Sequence, residues 1–282
     1  MQSINRTRPP DAIQKQTELS RLIARTEESV ATGKKFNRPS EAPSAWLEIS
    51  TISKQATIED GWASNIGRAR ILSQQAESTI DTLSNGAARV RELMILANSE
   101  TLAQRDREII ALELESFRDQ FNKLSLSKDN YGGYLFHPGD PIQMRIDADV
   151  MVTPAPTRQE VFGDIDLGGG VTGDLDVIMA DMIDAVRTGN AADRSDQLGN
   201  AKSISDHFAT VIGRQGVQAN RLDEQELRLQ ESKLHITERL TALEGTDVTE
   251  AIAQFKSLLV NLEAAQQLYA QTGRTSLIKL IG

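Results

Sequence analysis

His137, His207 and His235 are the only imidazoles in this chain, and it contains no cysteine. Nucleophilic, acid–base and zinc chemistry are sought first around such residues. His235 is followed by Ile236, Thr237, Glu238 and Arg239, so no second histidine completes a His-Glu-x-x-His zinc helix. Serines and threonines are frequent, yet the sequence sets no His–Asp pair beside any of them. Each histidine therefore reads as a surface or packing residue. Asp164, Asp166, Asp174 and Asp176 gather hard oxygen ligands around Gly168, Gly169, Gly170 and Gly173. That composition suits calcium, but the EF-hand spacing and its bidentate glutamate are missing and the segment occurs once. It reads as an acidic loop. Gly168–Gly170 has no Lys-Ser/Thr pair after it and reads as no nucleotide fingerprint. The remaining carboxylates alternate with Lys and Arg on amphipathic stretches, where they make solvated faces. The expectation is a non-enzyme with no catalytic residue, no cofactor and no metal.

The elements that would have to position any site tell more. At 282 residues the chain can form two or three domains, or one long helical assembly. Hydrophobic residues are 39% and charged residues 25%, which excludes compositional disorder. Aromatics are only 4%, a composition that favours helix-on-helix packing over a bulky globular core. No stretch approaches the roughly 20 apolar residues of a membrane span. Met1–Arg6 carries no apolar run, so a Sec-type signal peptide is not expected and any export would use another route. The net charge is −9, and residues 129–185 alone hold eleven acidic side chains against two basic. A nucleic-acid binder would show a basic face instead.

Eight prolines punctuate the chain at 9, 10, 39, 43, 138, 141, 154 and 156. Proline costs about 3 kcal/mol inside a helix, so the tracts 44–137 and 157–282 are where long helices can run. In the first, Trp62, Ile66, Ala69, Ser73, Ala76, Ile80, Leu83, Ala87, Val90, Met94 and Ala97 step alternately by four and three. This is a coiled-coil seam of roughly 50 Å, interrupted only by Ser73. Asn98–Thr101 reads as a break, with Thr101 as the N-cap of a helix through Ile109, Leu112, Leu114, Phe117, Phe121 and Leu124.

Asp129–Gly133 is a turn signal, and the alternation through Tyr134–Phe136, Ile142–Ile146, Val150 and Val152 predicts a β-hairpin. Residues 154–173 read as a loop or small irregular insertion. Leu175–Val186 is amphipathic and predicts a helix ending near Gly189. The next helix runs from about Ala192 to Leu243, with Leu222, Leu229, Ile236 and Leu243 at seven-residue spacing. Beyond Gly245, a last helix carries Val248, Ala251, Phe255, Leu258, Leu262, Ala265 and Tyr269 on one stripe. The expected order is a terminal segment 1–43, helices over 44–129, a β-rich middle 130–173, returning helices over 174–245 and a terminal segment 246–282. Folding back at the middle would make a mainly α, elongated coiled-coil rod with both termini at one end. The terminal stripes, Leu19, Leu22, Ile23 and Val30 with Phe255, Leu258, Leu262, Tyr269, Leu277 and Leu280, would find few partners in their own chain.

Five segments then match a known pattern in order. Gly33-Lys34-Lys35-Phe36-Asn37-Arg38-Pro39-Ser40-Glu41-Ala42-Pro43 resembles the segment that follows the first helix in the flagellin superfamily. Pro39 and Pro43 are similar to its hook-associated protein 3 (FlgL) branch. Asn130–Phe136, with Tyr134, Leu135 and Phe136, resembles the motif before that family's hairpin, and Glu160-Val161-Phe162-Gly163 the one closing its β region. Ile212–Leu222, with Asn220, Arg221 and Leu222, and the ending Leu277–Ile281 resemble two further family segments. Glu41-Ala42 stands where the family has an acidic pair, and His137 where it has a small residue.

The resemblance implies a flagellin-like fold and a secreted structural subunit at the hook–filament junction of the bacterial flagellum. It implies export unfolded through a type III apparatus and assembly through the terminal helices. The implied partners are the other hook-associated junction protein, flagellin, further copies in a ring, and an export chaperone, with no nucleic acid and no membrane insertion. A short flagellin, or a cell-surface binding protein on the same scaffold, remains open at this point.

Overall fold

A computed structural model describes the backbone from Pro9 to Ile281 and the side chains from Ile13 to Ala270. The described residues form α1 (Pro9–Thr32), α2 (Pro43–Ala97), α3 (Gln104–Ser125), β1 (Met144–Arg145), β2 (Met151–Val152), α4 (Arg158–Phe162), β3 (Ile165–Gly168), β4 (Val171–Gly173), α5 (Leu175–Arg187), α6 (Ala191–Glu244) and α7 (Val248–Ile281). The fold is mainly α, as the proline map requires. Pro9 and Pro43 each open a helix, where the missing N–H is no loss. The chain divides into two compact units, Met1–Ala56 with Lys233–Gly282, and Thr57–Ser232.

In the unit Thr57–Ser232 the expected seam is the buried stripe of α2. Every member from Ile66 to Ala97 is buried, and Trp62 is half-buried. Gly86 lies on this stripe because the Phe121 ring occupies the space a β-carbon would need, with Phe121 Cε1 only 2.7 Å from that position. The same core takes Ile110, Ala111, Leu114 and Phe121 from α3, Ile178, Met179, Met182 and Val186 from α5, and Ile204, Phe208 and Val211 from α6. A second, smaller cluster holds Ile66, Ala69, Leu222 and Leu229 with Ile146 and Val152.

Two expectations for α3 need correction. Thr101 is not its N-cap: the Thr101 hydroxyl bonds Ser99 Oγ at 3.0 Å, and the helix starts only at Gln104. Ala103, the actual cap position, makes no side-chain capping bond. Ile109 and Leu112 point outward, since the buried stripe follows Ile110, Ala111, Leu114 and Phe121. The polar flank of α3 instead joins α5. The Arg118 guanidinium makes two hydrogen bonds to Asp176, at 2.6 and 2.7 Å, and Arg187 meets Glu115 at 2.6 Å. Arg118 first, then the Asn122 amide, holds the Asp176 carboxyl below its ordinary pKa.

The middle is more ordered than a loop. The expected hairpin is present but short, β1 pairing antiparallel with β2 through Met144–Val152 and Arg145–Met151. Tyr134 makes only an isolated bridge to Lys128. Residues 154–173 form α4 and a second hairpin, β3–β4, rather than an irregular insertion. Thr157 and Glu160 close a reciprocal capping box at the start of α4. Gly168, Gly169 and Gly170 all adopt positive φ, which turns β3 back into β4.

In the other unit, α1 packs along α7. Their inner ends are fastened by backbone: Lys35 N–H donates to Glu244 O at 2.6 Å and Thr246 N–H to Gly33 O at 2.9 Å. Gly33 ends α1 at φ +69, a left-handed position that suits glycine. Arg239 on α6 pairs with Glu48 on α2 at 2.7 Å.

Candidate assembly interface

The residues that could do chemistry are occupied by structure. His207 is the most buried histidine, and its Nε2–H donates to Val161 O at 3.2 Å. Burial, the largest influence, pushes its pKa below the ordinary value, so the ring is a neutral tie between α6 and α4. His137 and His235 are exposed. Among the described residues no three His, Asp or Glu side chains converge on a point that could hold a metal ion. Asp176 is bound to Arg118, Asp174 caps α5, and Asp166 Oδ1 accepts from Gly168 N–H inside the hairpin. Gly168, Gly170 and Gly173 do carry the letters Gly-x-Gly-x-x-Gly. They join two antiparallel strands rather than leading a strand into a helix, so geometry and not spacing sets them apart from a dinucleotide loop. A cavity of about 630 Å³ beside this hairpin is lined by Asp164, Asp166, His207 and Arg214 among others.

The motif residues fall into two groups. Leu135, Phe136, Val161, Phe162 and Gly163 are buried, and the Phe136 and Phe162 rings meet edge to face at 5.6 Å. Leu222 is buried in the smaller cluster. These positions build the core. Tyr134, Asn220, Arg221, Pro39, Ser40 and Pro43 are exposed, and Gly33 is the left-handed cap already described. Beside the motif, Glu41 accepts from Asn37 N–H at 2.9 Å and lies 3.5 Å from Arg25. The Asn37 bond is the main cause that lowers the Glu41 pKa.

The terminal helices do have a partner within the chain, which corrects the expectation: each has the other. What the pairing leaves uncovered is informative. Leu19, Ile23 and Val30 on α1 and Phe255, Leu258 and Leu262 on α7 are half-buried, and among the described side chains of α7 only Ala251 is buried. Two helices alone cover each other's stripe from one side only. Leu22 (42% exposed), Tyr269 (44%) and Val260 (64%) lie further out. Leu277 and Leu280, expected on the same stripe, lie outside the residues whose side chains are described. The unit thus presents an apolar seam that is half closed, whereas the core of Thr57–Ser232 is closed. No described helix is long and apolar enough to cross a membrane.

Comparison with known proteins fits this geometry. The profile of the bacterial flagellin N-terminal helical region matches residues 12–138. Flagellar hook-associated protein 3 of Salmonella typhimurium is 30% identical over 113 residues, which is 39% of this chain and 34% of that protein. The protein of the same name from Escherichia coli is 21% identical over 292 aligned positions, covering 90% of this chain and 91% of that one. The chain is similar to flagellar hook-associated protein 3 of two bacteria and, over its first half, to the flagellin N-terminal helical region. A crystal structure of hook-associated protein 3 from Legionella pneumophila superposes with a TM-score of 0.62 at 13% identity, over 69% of this chain and 98% of that one. At that identity the match speaks for the fold alone. Sequence reasoning found the stripes, but not that α1 and α7 cover one another. An apolar stripe states that something packs on it and carries no label for the partner.

Proposed function

We propose that this chain is a member of the hook-associated protein 3 family, a structural subunit of the bacterial flagellum that joins hook to filament. The half-closed seam of α1 and α7 carries the reading. Apolar stripes covered from one side are completed when helices of neighbouring subunits pack on the other. In this reading the chain is exported unfolded, acts without catalysis, and meets three kinds of neighbour: further copies in a ring, the other junction protein on the hook side, and flagellin on the filament side. An export chaperone would shield the terminal stripes before assembly. The acidic middle, residues 129–185, suits a surface turned to water.

Immunogold electron microscopy of intact cells, with antibody raised against residues 130–175, tests it. One band of label where hook meets filament is the expected result. Label along the filament would make the chain a short flagellin, and label over the cell body a surface binding protein.

A further inference from the structure

On α2, Ile66, Ser73, Ile80, Ala87 and Met94 recur every seven residues, and on α6 Ala201, Phe208, Gln215, Leu222 and Leu229 do the same. All are buried, and each series contains one polar member. The two polar members meet. Gln215 Nε2 donates to Ser73 Oγ at 2.8 Å and to the backbone carbonyl of Pro154 at 2.9 Å. Gln215 is 3% exposed and Ser73 1%. A leucine at 215 would continue the apolar seam, whereas a buried carboxamide must be desolvated and then satisfied. The position therefore answers to something other than helix pairing, and the third partner, Pro154, says what.

Pro154 lies near the end of the stretch 138–156, in which the described regular structure is two strands of two residues each. Side-chain carboxamides of the helices tie this stretch down: Asn65 Nδ2 donates to Arg145 O at 2.7 Å, and Gln225 Nε2 to Asp147 Oδ2 at 2.7 Å. Its buried apolar anchors are Ile146 and Val152, both in the smaller cluster. The Ser73–Gln215 layer lies between that cluster and the larger one, which begins at Ala76 on α2 and ends at Val211 on α6. By contrast, α3 and α5 join the larger core through an extensive apolar surface.

We infer that residues 138–156 form a strap which opens and closes over the smaller cluster independently of the α3–α5 layer, with Gln215 as its latch. Opening breaks three carboxamide ties and bares Ile66, Ala69, Leu222 and Leu229, while the larger cluster stays packed. Segments held by few apolar contacts and several hydrogen bonds open locally at lower free energy than a continuous core does.

Hydrogen–deuterium exchange of the full chain, read on the amides of 142–153 and on those of α3 and α5, tests the strap. In Gln215→Ala the strap amides should exchange about tenfold faster, the factor expected from losing one buried hydrogen bond. The α3 and α5 amides should stay within about twofold of the parent. Gln218→Ala, in the same groove but outside the latch, should change neither set. Equal acceleration of strap, α3 and α5 overturns the inference, because the unit then opens as one body. No acceleration of the strap, or an equal effect from Gln218→Ala, overturns the assignment of the latch. Should Gln215→Ala not fold, Asn65→Ala decides. A smaller acceleration confined to the strap supports the proposal, and an absent or general one refutes it.

Discussion

Gly86 and Gly67 sit in the same helix and the same unit, and alanine at the two positions should move stability in opposite directions. Both substitutions gain roughly 1 kcal/mol of helix propensity. At Gly67 nothing lies within 4 Å of the new methyl, so the gain stands alone. At Gly86 the methyl would lie 2.7 Å from Phe121 Cε1 and 3.0 Å from Cζ. Carbon atoms pack at about 3.5–4.0 Å, so the ring must retreat by about 1 Å. It has little room: Phe121 is buried, with Phe208 edge-on at 6.4 Å and Phe117 at 6.2 Å. Overpacking of a fixed core costs about 1–3 kcal/mol. The propensity terms cancel in the comparison, so Gly86→Ala should be less stable than Gly67→Ala by that full 1–3 kcal/mol. Urea unfolding followed by far-ultraviolet circular dichroism measures the difference. In a Phe121→Leu background the Gly86→Ala penalty should shrink, since the colliding atoms are gone. Two variants within about 0.5 kcal/mol of each other, the ordinary scatter of surface substitutions, would refute the packing argument.

Two further predictions concern the ends of the chain and its half-buried histidine, His207. Removal of residues from Asp247 onward should leave Thr57–Ser232 folded by circular dichroism while abolishing incorporation into flagella; a truncated chain still found in flagella would sink the assembly reading. For His207 the folded pKa lies below the unfolded value of about 6.5, so its contribution is present above about pH 6.5 and is lost as pH falls toward the folded pKa. Stability should therefore decline more steeply between pH 7 and 5 in the parent than in His207→Gln, and parallel pH profiles would contradict that sign.

Most of the helical frame is legible in the sequence because its signal is redundant. The α2 seam repeats its three-and-four step over five heptads, so the single intrusion of Ser73 does not blur it, and that intrusion turns out to mark a polar layer where α2, α6 and the strap meet. The middle is harder for a physical reason. Strands of two to four residues give alternation too few periods to register. Even so, Thr157-Arg158-Gln159-Glu160 is a capping-box sequence and announces α4, and a glycine triplet between Ile165–Leu167 and Val171–Thr172 is a hairpin signal. Reading 154–173 as a loop gives the prolines and glycines weight as breakers and none as turn formers. The start of α3 is less accessible, since Thr101 has the right chemistry for a cap and spends its hydroxyl on Ser99 instead. At the assembly seam, residue types reveal the stripe and its phase. The mutual cover of α1 and α7 depends on the backbone ties at Gly33–Lys35 and Glu244–Thr246, which are main-chain contacts that no side-chain pattern encodes.

The unequal closure of the two units bears on how such a subunit could be both a stable monomer and a polymer component. Full burial of a Leu, Ile, Val or Phe side chain is worth about 1.5–3 kcal/mol. Completing the burial of six half-covered residues, Leu19, Ile23, Val30, Phe255, Leu258 and Leu262, therefore offers roughly 5–10 kcal/mol before the entropy of association is subtracted. That range is large enough to drive assembly once subunits are held together. Had α1 and α7 been unpaired, twice the apolar surface would face water, and the monomer would be a poor soluble intermediate. Had they been buried completely, neighbours would find nothing to add. A pair of helices covering one another from one side gives a seam that is tolerable in water and is improved by every further helix laid on it.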